Sequence, residues 1–575
     1  MQTQGGNTVN ILSPYNEDLY EILLANRHLD PADLDSFFAP QISDLHDPYL
    51  MPDMEKAVKR ILIAREKKER IVIFGDYDVD GVSSTAILVK FLSEIGCLVS
   101  YRLPHRVHDG YGLKAYFFDE LASKWVTLVI TVDCGTRDIE PIRHAASLGI
   151  DVIVTDHHAV PDIIPEEVVA IVNPKRKDSV YPFHGLAGAG VAFKLLHWLL
   201  IWIWSKNIDE TLTRYIDFAS LGTVADCMPI TGENRVITTL GLRQMQRSES
   251  VGLRKFLEGR EQIEGNADII GFQIGPRINA AGRMDTPLTA LRWLLAGEWR
   301  TDEFFGELEH LNETRKWTTE TQYQRALANV DTTRPILFFD AADLDHGIIG
   351  LVAGRLTELY NRPSIVMKNG HDHPLTSRKW DTVAIDETVN TAEWKELSIG
   401  SCRAPEWCNL IELLDECKHF FVRYGGHRQA AGFTIETERI PEFREAMYRA
   451  ISRAHDTANL PKKILNVECP LLPSHITVAT LEQIDKFRPY GIGNPRPLWI
   501  IENVTIANTK PLGQEEKHLS ISIAEKPELK LLLWNAADKK PHLGVGNIVS
   551  LIVEIDRNEW KGKVSVQVVV RDIVI

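Results

Sequence analysis

Four short stretches gather carboxylates and imidazoles: "DYDVDG" with Asp76, Asp78 and Asp80, "VDCG" with Asp133, "TDHH" with Asp156, His157 and His158, and "GTVADCMP" with Asp226. Aspartates two residues apart repel one another and call for a counter-charge. DYDVDG itself holds no Lys or Arg. An extended strand would put all three on one face, unless the chain is already turning by Asp80. Each stretch also has an ordinary reading. The aspartate run could be a solvated turn or a calcium loop, although it lacks the later Glu of an EF-hand. A strand-end aspartate is usually a helix N-cap, and adjacent histidines are often one buried and one exposed. All these readings would have to hold together at one edge of one sheet. Mixed carboxylate and imidazole ligands suit Mn²⁺ or Mg²⁺ better than zinc, and there are enough of them for two ions sharing a bridging aspartate.

The elements around these residues supply the common edge. "RIVIF", "TLVITV" and "DVIVT" are continuous apolar runs, as expected of strands buried on both faces. Between them "VSSTAILVKFLSEIG" and "PIRHAASLGI" have helical spacing, with Gly96 placed to end the first helix. This alternation predicts an α/β domain with a parallel sheet, and ligands in such sheets bind beyond the carboxyl ends of the strands. All three runs end there in acidic or imidazole groups. Five segments follow from the pattern: an N-terminal helical segment at 1–50, the parallel-sheet domain at 51–285, connecting helices at 286–333, a second α/β domain at 334–458 and short alternating strands at 465–575. The last are expected to form a small β-barrel of the OB type.

The chain has 575 residues, which exceeds one ordinary core and fits roughly three to four domains. Its most membrane-like stretch, "LLHWLLIWIW", is far shorter than a span of ~20 residues and is read as a buried helix. "MQTQGGNTVN" lacks the basic and apolar regions of a secretory leader. Seven scattered cysteines without a CxxC pair argue against a disulfide framework or a structural zinc site and fit a cytoplasmic protein. Cys134 and Cys227 are expected to be small buried filler. The net charge is −15, but from residue 461 onward there are 15 Lys and Arg against 13 Asp and Glu. The acidity lies in the preceding part of the chain, where divalent cations would need it, and a basic groove can still form locally.

In this order, DYDVDG, VDCG, TDHH and GTVADCMP resemble the signature motifs of the DHH phosphoesterase superfamily. "GPRINAAGRMDTP" at 275–287, "HGIIGLVAGRL" at 346–356, "RYGGHRQAAGF" at 423–433 and "FRPYGIGNPRPLW" at 487–499 narrow the resemblance to the RecJ family nearly end to end. That resemblance implies a DHH domain, a long connecting helix, a DHH-associated domain and an OB-fold. It implies 5′-to-3′ digestion of single-stranded DNA to 5′-mononucleotides with Mn²⁺ or Mg²⁺, in DNA repair and recombination. By motif, the metal ligands would be Asp76, Asp78, Asp80, Asp133, His157 and Asp226, with Asp133 bridging two ions. His158 would face the scissile phosphate or its leaving oxygen. Arg106, Ser401 and Arg403 would hold the DNA or its 5′-terminal phosphate. A single-strand-binding protein and a RecQ-type helicase are expected partners by the same analogy, and the complete layout is expected to act as a monomer without a membrane. Two departures stand out: "GSCRAPEWCN" where relatives continue with a hydroxyl residue and a glycine loop, and Asp345 where many carry Trp.

Residue type adds further substrate contacts. Gly425 and Gly426 before His427 would offer free N–H groups at a helix start to a phosphate. Arg277 and Arg283 could pair with phosphates in a bidentate manner, or form surface salt bridges. Trp534 and Trp560 could stack bases or belong to the barrel core. Two other activities compete: a phosphoesterase for short oligonucleotides or pyrophosphate, and a non-catalytic DNA-binding replication scaffold. The barrel segment argues against the first, and the intact set of carboxylates against the second.

Overall fold

The computed structural model describes residues 1–260, 263–371, 396–513, 516–536, 541–560 and 563–574. Strand β1 (Thr8–Ile11) comes first, so the N-terminal segment is not helical throughout. β2 (Arg70–Gly75), β3 (Leu98–Arg102), β4 (Val126–Val132), β5 (Asp151–Thr155) and β6 (Ala170–Val172) form a wholly parallel sheet in the order β3-β2-β4-β5-β6. The apolar runs are continuous because both faces are covered. Ile71, Ile73 and Ile130 join the core under the helices Met54–Lys67, Val79–Glu94 and Gly188–Trp202. Val72, Phe74, Val129 and Val152 pack under Ala115–Ser123 and Ile139–Ser147. The apolar LLHWLLIW stretch belongs to the helix Gly188–Trp202, and among the described residues no helix is long and apolar enough to cross a membrane.

The helices Leu288–Leu295 and Thr301–Asn329 lead to the second α/β unit. At 29 residues the latter is a strut of about 43 Å. The second unit's sheet contains β7 (Leu337–Ala341), β8 (Ser364–His371), β9 (Leu397–Arg403), β10 (Phe421–Gly426) and β11 (Ala430–Glu436) in the order β10-β11-β9-β8-β7. Only β7 and β8 pair in parallel. Helix Ile349–Tyr360 covers one face, and Leu410–Glu416 with Ile440–Ala454 covers the other.

After β12 (Ile464–Val467), the strands β13 (Trp499–Leu512), β14 (His518–Ile523), β15 (Lys526–Leu533), β16 (Ile548–Trp560) and β17 (Lys563–Val574) close a barrel in the order β13-β14-β15-β17-β16. β1 pairs with β12, so the start of the chain is built into the barrel's flank. Buried Arg235, in the helix Gly232–Gln244, ties the two units together. It donates to the carbonyls of Phe37, Arg488 and Pro489 and lies 3.5 Å from the centre of the Phe37 ring.

Candidate active site

The carboxyl edge of the first sheet brings the acidic stretches together, though not on one strand face. β2 ends at Gly75, before the first aspartate. Asp76 lies in the turn, Asp78 caps the next helix, and Asp80 stands in that helix's first turn. The turn is tight: a Cβ at Gly81 would fall 2.5 Å from the Asp76 nitrogen. Asp78 Oδ1 accepts from the Asp80 and Gly81 N–H groups. Asp80 accepts from Gly188 N at 2.6 Å and Ala189 N at 2.7 Å, at the positive start of the helix Gly188–Trp202. Asp133 follows β4 at φ +59, a conformation open chiefly to Gly, Asn and Asp. Asp226 caps the C-terminus of the helix Ile208–Ala225.

Three groups of side chains each offer ligand atoms within 4.8 Å of one another: Asp76, Asp78 and Asp133; Asp133, His157 and His158; and Asp80, His157 and Asp226. His157 Nε2 lies 3.1 Å from Asp133 Oδ1, 3.6 Å from Asp226 Oδ2 and 3.7 Å from Asp80 Oδ2. Asp76 Oδ1, Asp133 Oδ1 and both His157 nitrogens are buried without a hydrogen-bond partner among the described residues. Groups stripped of water in this way are costly unless something coordinates them. Burial, with Asp78 next, pushes Asp80 up to about 7, and burial with Asp80 pushes Asp226 up to about 8. Burial and neighbouring aspartates raise Asp76 and Asp133 well above the carboxylate range. Burial, with the charge of His158, pulls His157 down to about 3, so it is a neutral imidazole ready to ligate. The donor set fits hard divalent cations.

The two histidines separate by their partners. His158 Nδ1 bonds Asp156 Oδ1 at 2.8 Å, and the same oxygen accepts from the N–H groups of His157 and His158. Asp156 Oδ2 accepts from Thr136 N. Burial acts to raise Asp156, but the His158 bond and charge outweigh it and hold the carboxyl well below its usual range. Asp156 is therefore the group that orients the pair. His158 is half-buried, touches the Tyr111 hydroxyl at 3.2 Å, and stacks on His427 with ring centres 6.2 Å apart.

His427 belongs to the opposite wall of a cleft of about 600 Å³ between the two α/β units. Arg106, Arg283, Ser401, Arg403, Gly425, Gly426 and His427 all line it. Among the described residues, none of the three arginines forms an ion pair. Arg106 lies 3.9 Å from the centre of the Tyr77 ring, and its buried Nε has no hydrogen-bond partner among the described residues. Arg283 donates to the Gly347 carbonyl, and burial with the charges of Arg106 and Arg403 pulls it down to about 9. Arg403 donates to Ser401 Oγ and to its neighbour's carbonyl. Like charges held together with no ion-pair partner of their own make an anion site. The walls touch where Gly347 meets the Arg283 backbone: a Cβ there would fall 2.1 Å from the Arg283 oxygen. Asp345 Oδ1 accepts from Gly347 N and fixes that turn.

Several expectations need correcting. Gly425 and Gly426 do not start a helix; they end β10, and His427 N bonds the Ala430 carbonyl across a hairpin. Arg277 does not line the cleft but pairs with Glu309 on the long helix. Cys134 is buried, but Cys227 is exposed. Of the unusual GSCRAPEWCN stretch, Gly400, Ser401 and Arg403 line the cleft, and the part that follows Arg403 leaves it, with Trp407 Nε1 donating to the Asn361 carbonyl. Trp534 is partly exposed against His518, whereas the Trp560 side chain lies outside the described residues. Tyr77, Tyr111, Arg137 and Arg423 also line the cleft and were not singled out from sequence. Tyr77 and Arg423 sit inside quoted motifs, which was the available signal.

Residues 70–223 match the DHH family, N-terminal domain, and residues 467–572 match the RecJ OB domain. The chain is 31% identical over 559 residues to the single-stranded-DNA-specific exonuclease RecJ of Bacillus subtilis, covering 96% of this chain and 67% of that protein. It is 30% identical to the exonuclease of the same name from Escherichia coli, over 90% of each chain. The crystal structure of RecJ in complex with Mn²⁺ from Thermus thermophilus superposes with a TM-score of 0.77 at 26% identity, covering 99% of this chain and 79% of that one. A second structure of the Thermus protein, with Mg²⁺, gives 0.72.

Proposed function

The chain belongs to the RecJ family of single-stranded-DNA-specific exonucleases, and we propose that its cleft draws in the 5′ end of a single strand and releases 5′-mononucleotides. The observation that carries this reading is a juxtaposition: buried metal-ligand atoms without a hydrogen-bond partner among the described residues lie beside a cleft lined by Arg106, Arg283 and Arg403, none of them ion-paired among those residues. Asp76, Asp78, Asp80, Asp133, His157 and Asp226 would hold two divalent cations, Mn²⁺ or Mg²⁺, which when bound supply Lewis acidity and neutralise phosphate charge. Asp133 and His157 each belong to two of the three ligand groups, and Asp133, whose carboxylate has two oxygens to offer, is the one that would join the two sites.

The chain's own residues do the rest. Asp156 holds His158 in one orientation by engaging its Nδ1, which leaves Nε2 as the nitrogen that would serve the substrate. His158 there steadies charge on the scissile phosphate or its leaving oxygen. Arg106, Arg283 and Arg403, with the Ser401 hydroxyl, receive the 5′-terminal phosphate and so set the direction of entry. A duplex end offers no free single strand to the cleft, and the barrel gives the incoming strand a second surface.

The test is digestion of 5′- and 3′-labelled single strands with Mn²⁺, beside duplex DNA and pyrophosphate, with Asp133→Ala as the control. The 5′ label is expected to leave first, as a mononucleotide, and only from single strands. Release of the 3′ label first would overturn the direction. Hydrolysis of pyrophosphate with DNA untouched would overturn the substrate.

A further inference from the structure

The turn that carries the first two aspartates of the cluster also carries a large aromatic residue between them. Asp76 and Asp78 belong to one ligand group, whereas Tyr77 lines the cleft. The Arg106 guanidinium lies over the Tyr77 ring, with Cζ 3.9 Å from its centre. Attraction between a cation and an aromatic face reaches to about 6 Å, so this contact is close. Burial and the charge of Asp76 raise the Tyr77 hydroxyl above its ordinary range, so the ring stays neutral.

An aromatic partner does not ordinarily replace an acid. Arg355 lies 3.8 Å from the centre of the Tyr323 ring and still pairs with Glu320. Arg106 forms no ion pair among the described residues, and its buried Nε has no hydrogen-bond partner among them. Yet it is near enough to Asp76 to offset part of the rise that burial imposes on that carboxyl. A carboxylate partner would consume the N–H groups that a phosphate needs. An aromatic face holds the guanidinium and leaves those groups free.

Close packing fixes the residue that bears the ring. A Cβ at Gly282 would fall 2.6 Å from the Tyr77 carbonyl oxygen and 3.5 Å from the Tyr77 Cβ. Arg283 comes next in that helix, and its backbone meets Gly347. A Cβ at Gly350 would lie 3.0 Å from Ser401 Oγ and 3.1 Å from Arg403 Nη2. A line of close contacts thus runs from two metal-ligand candidates through Tyr77 to the second α/β unit. We propose, on the reading that Arg106 receives the 5′-terminal phosphate, that Tyr77 is a positioning residue: its ring face holds the guanidinium off Asp76, with N–H groups free, at a fixed place beside the metal ligands. An apolar side chain of equal size would not serve, because it lacks the negative face of the ring.

The test compares single strands ending in a 5′-phosphate or a 5′-hydroxyl, digested by the full chain with Mn²⁺ under steady-state conditions. The parent and Tyr77→Phe should both prefer the phosphate. Tyr77→trifluorophenylalanine keeps the shape of the ring but drains its face. It should raise KM for the phosphorylated strand about 3–30-fold, with kcat and the hydroxyl strand unchanged. Variants with one or two ring fluorines should fall between, and on an Arg106→Met background fluorination should change nothing. A phosphate preference that survives fluorination overturns the role of Tyr77 alone. Equal losses on both strands, or the same loss without Arg106, also overturn it and make the ring a support of the metal site. A parent that treats both ends alike overturns the reading of Arg106 and the proposal with it.

Discussion

Gly222 stands where the helix Ile208–Ala225 presses on the aspartate cluster, and Gly222→Ala should disable the site by volume alone. A Cβ there would lie 2.2 Å from Asp80 Oδ1 and 2.6 Å from the Ala189 Cβ. The carboxylate is pinned from the other side by the Gly188 and Ala189 N–H groups, so it can move only by giving up one of those bonds. A bond to a charged group contributes about 1.5–3 kcal/mol, and forcing an extra methyl into a packed core costs about 1–3 kcal/mol. Together the destabilisation is about 2.5–6 kcal/mol. Displacing a group that supports a metal site typically costs about 10–100-fold in affinity. The assay is calorimetric titration with Mn²⁺ beside release of labelled nucleotide from single strands, with thermal melts of each protein. Gly271→Ala is the matched control, because nothing lies within 4 Å of a Cβ there. Asp80→Asn removes the charge without adding volume and should match Gly222→Ala in activity but not in melting. Gly222→Ala binding Mn²⁺ and digesting DNA like its parent would refute the argument that this glycine exists to admit Asp80.

Without metal, the raised carboxylates give a pH dependence of definite sign. Asp80 near 7 and Asp226 near 8 keep protons that the unfolded chain has already lost near pH 4, so raising pH from about 4 to 8 should lower the melting temperature of chelated protein. Excess Mn²⁺ should remove most of that slope; a flat chelated profile would contradict the reading. Lys194→Met should destabilise by about 3–5 kcal/mol, because it strands the buried Glu233 carboxylate that Lys194 neutralises. Adding Glu233→Gln should restore part of it in chemical denaturation. Gly306→Ala, on the exposed side of the long helix with nothing within 4 Å, should raise stability by up to about 1 kcal/mol.

Much of the architecture was legible because its signals are local. Runs such as Ile71–Phe74 are short, β-branched and followed by turn residues, which fits strands with both faces covered, and the turn signals between the late strands announce a barrel. The metal-ligand candidates were legible because unlike motifs converge on one sheet edge. What sequence missed is set by tertiary contacts. Nothing within "TDHH" says that Asp156 would spend its oxygens on three N–H groups and His158. Arg277 and Arg283 lie six residues apart in one helix-forming motif, and only the position of Glu309 on another helix sends the first away from the cleft. The glycines before His427 looked like a helix start because β-hairpins and helix N-termini use the same residues.

The pairing of β1 with β12 has a consequence for how the chain is made. Residues 8–11 leave the ribosome first, while the partner strand at 464–467 lies some 450 residues downstream. At about 5–20 residues per second, the first strand waits about 20–90 s for its neighbour to exist. During that interval Leu19, Ile22 and Leu23, which end up against the barrel, have no core to enter. The seam is therefore among the last parts of the molecule to close. A nascent chain halted before residue 464 would expose an apolar N-terminal arm, a natural foothold for chaperones and proteases.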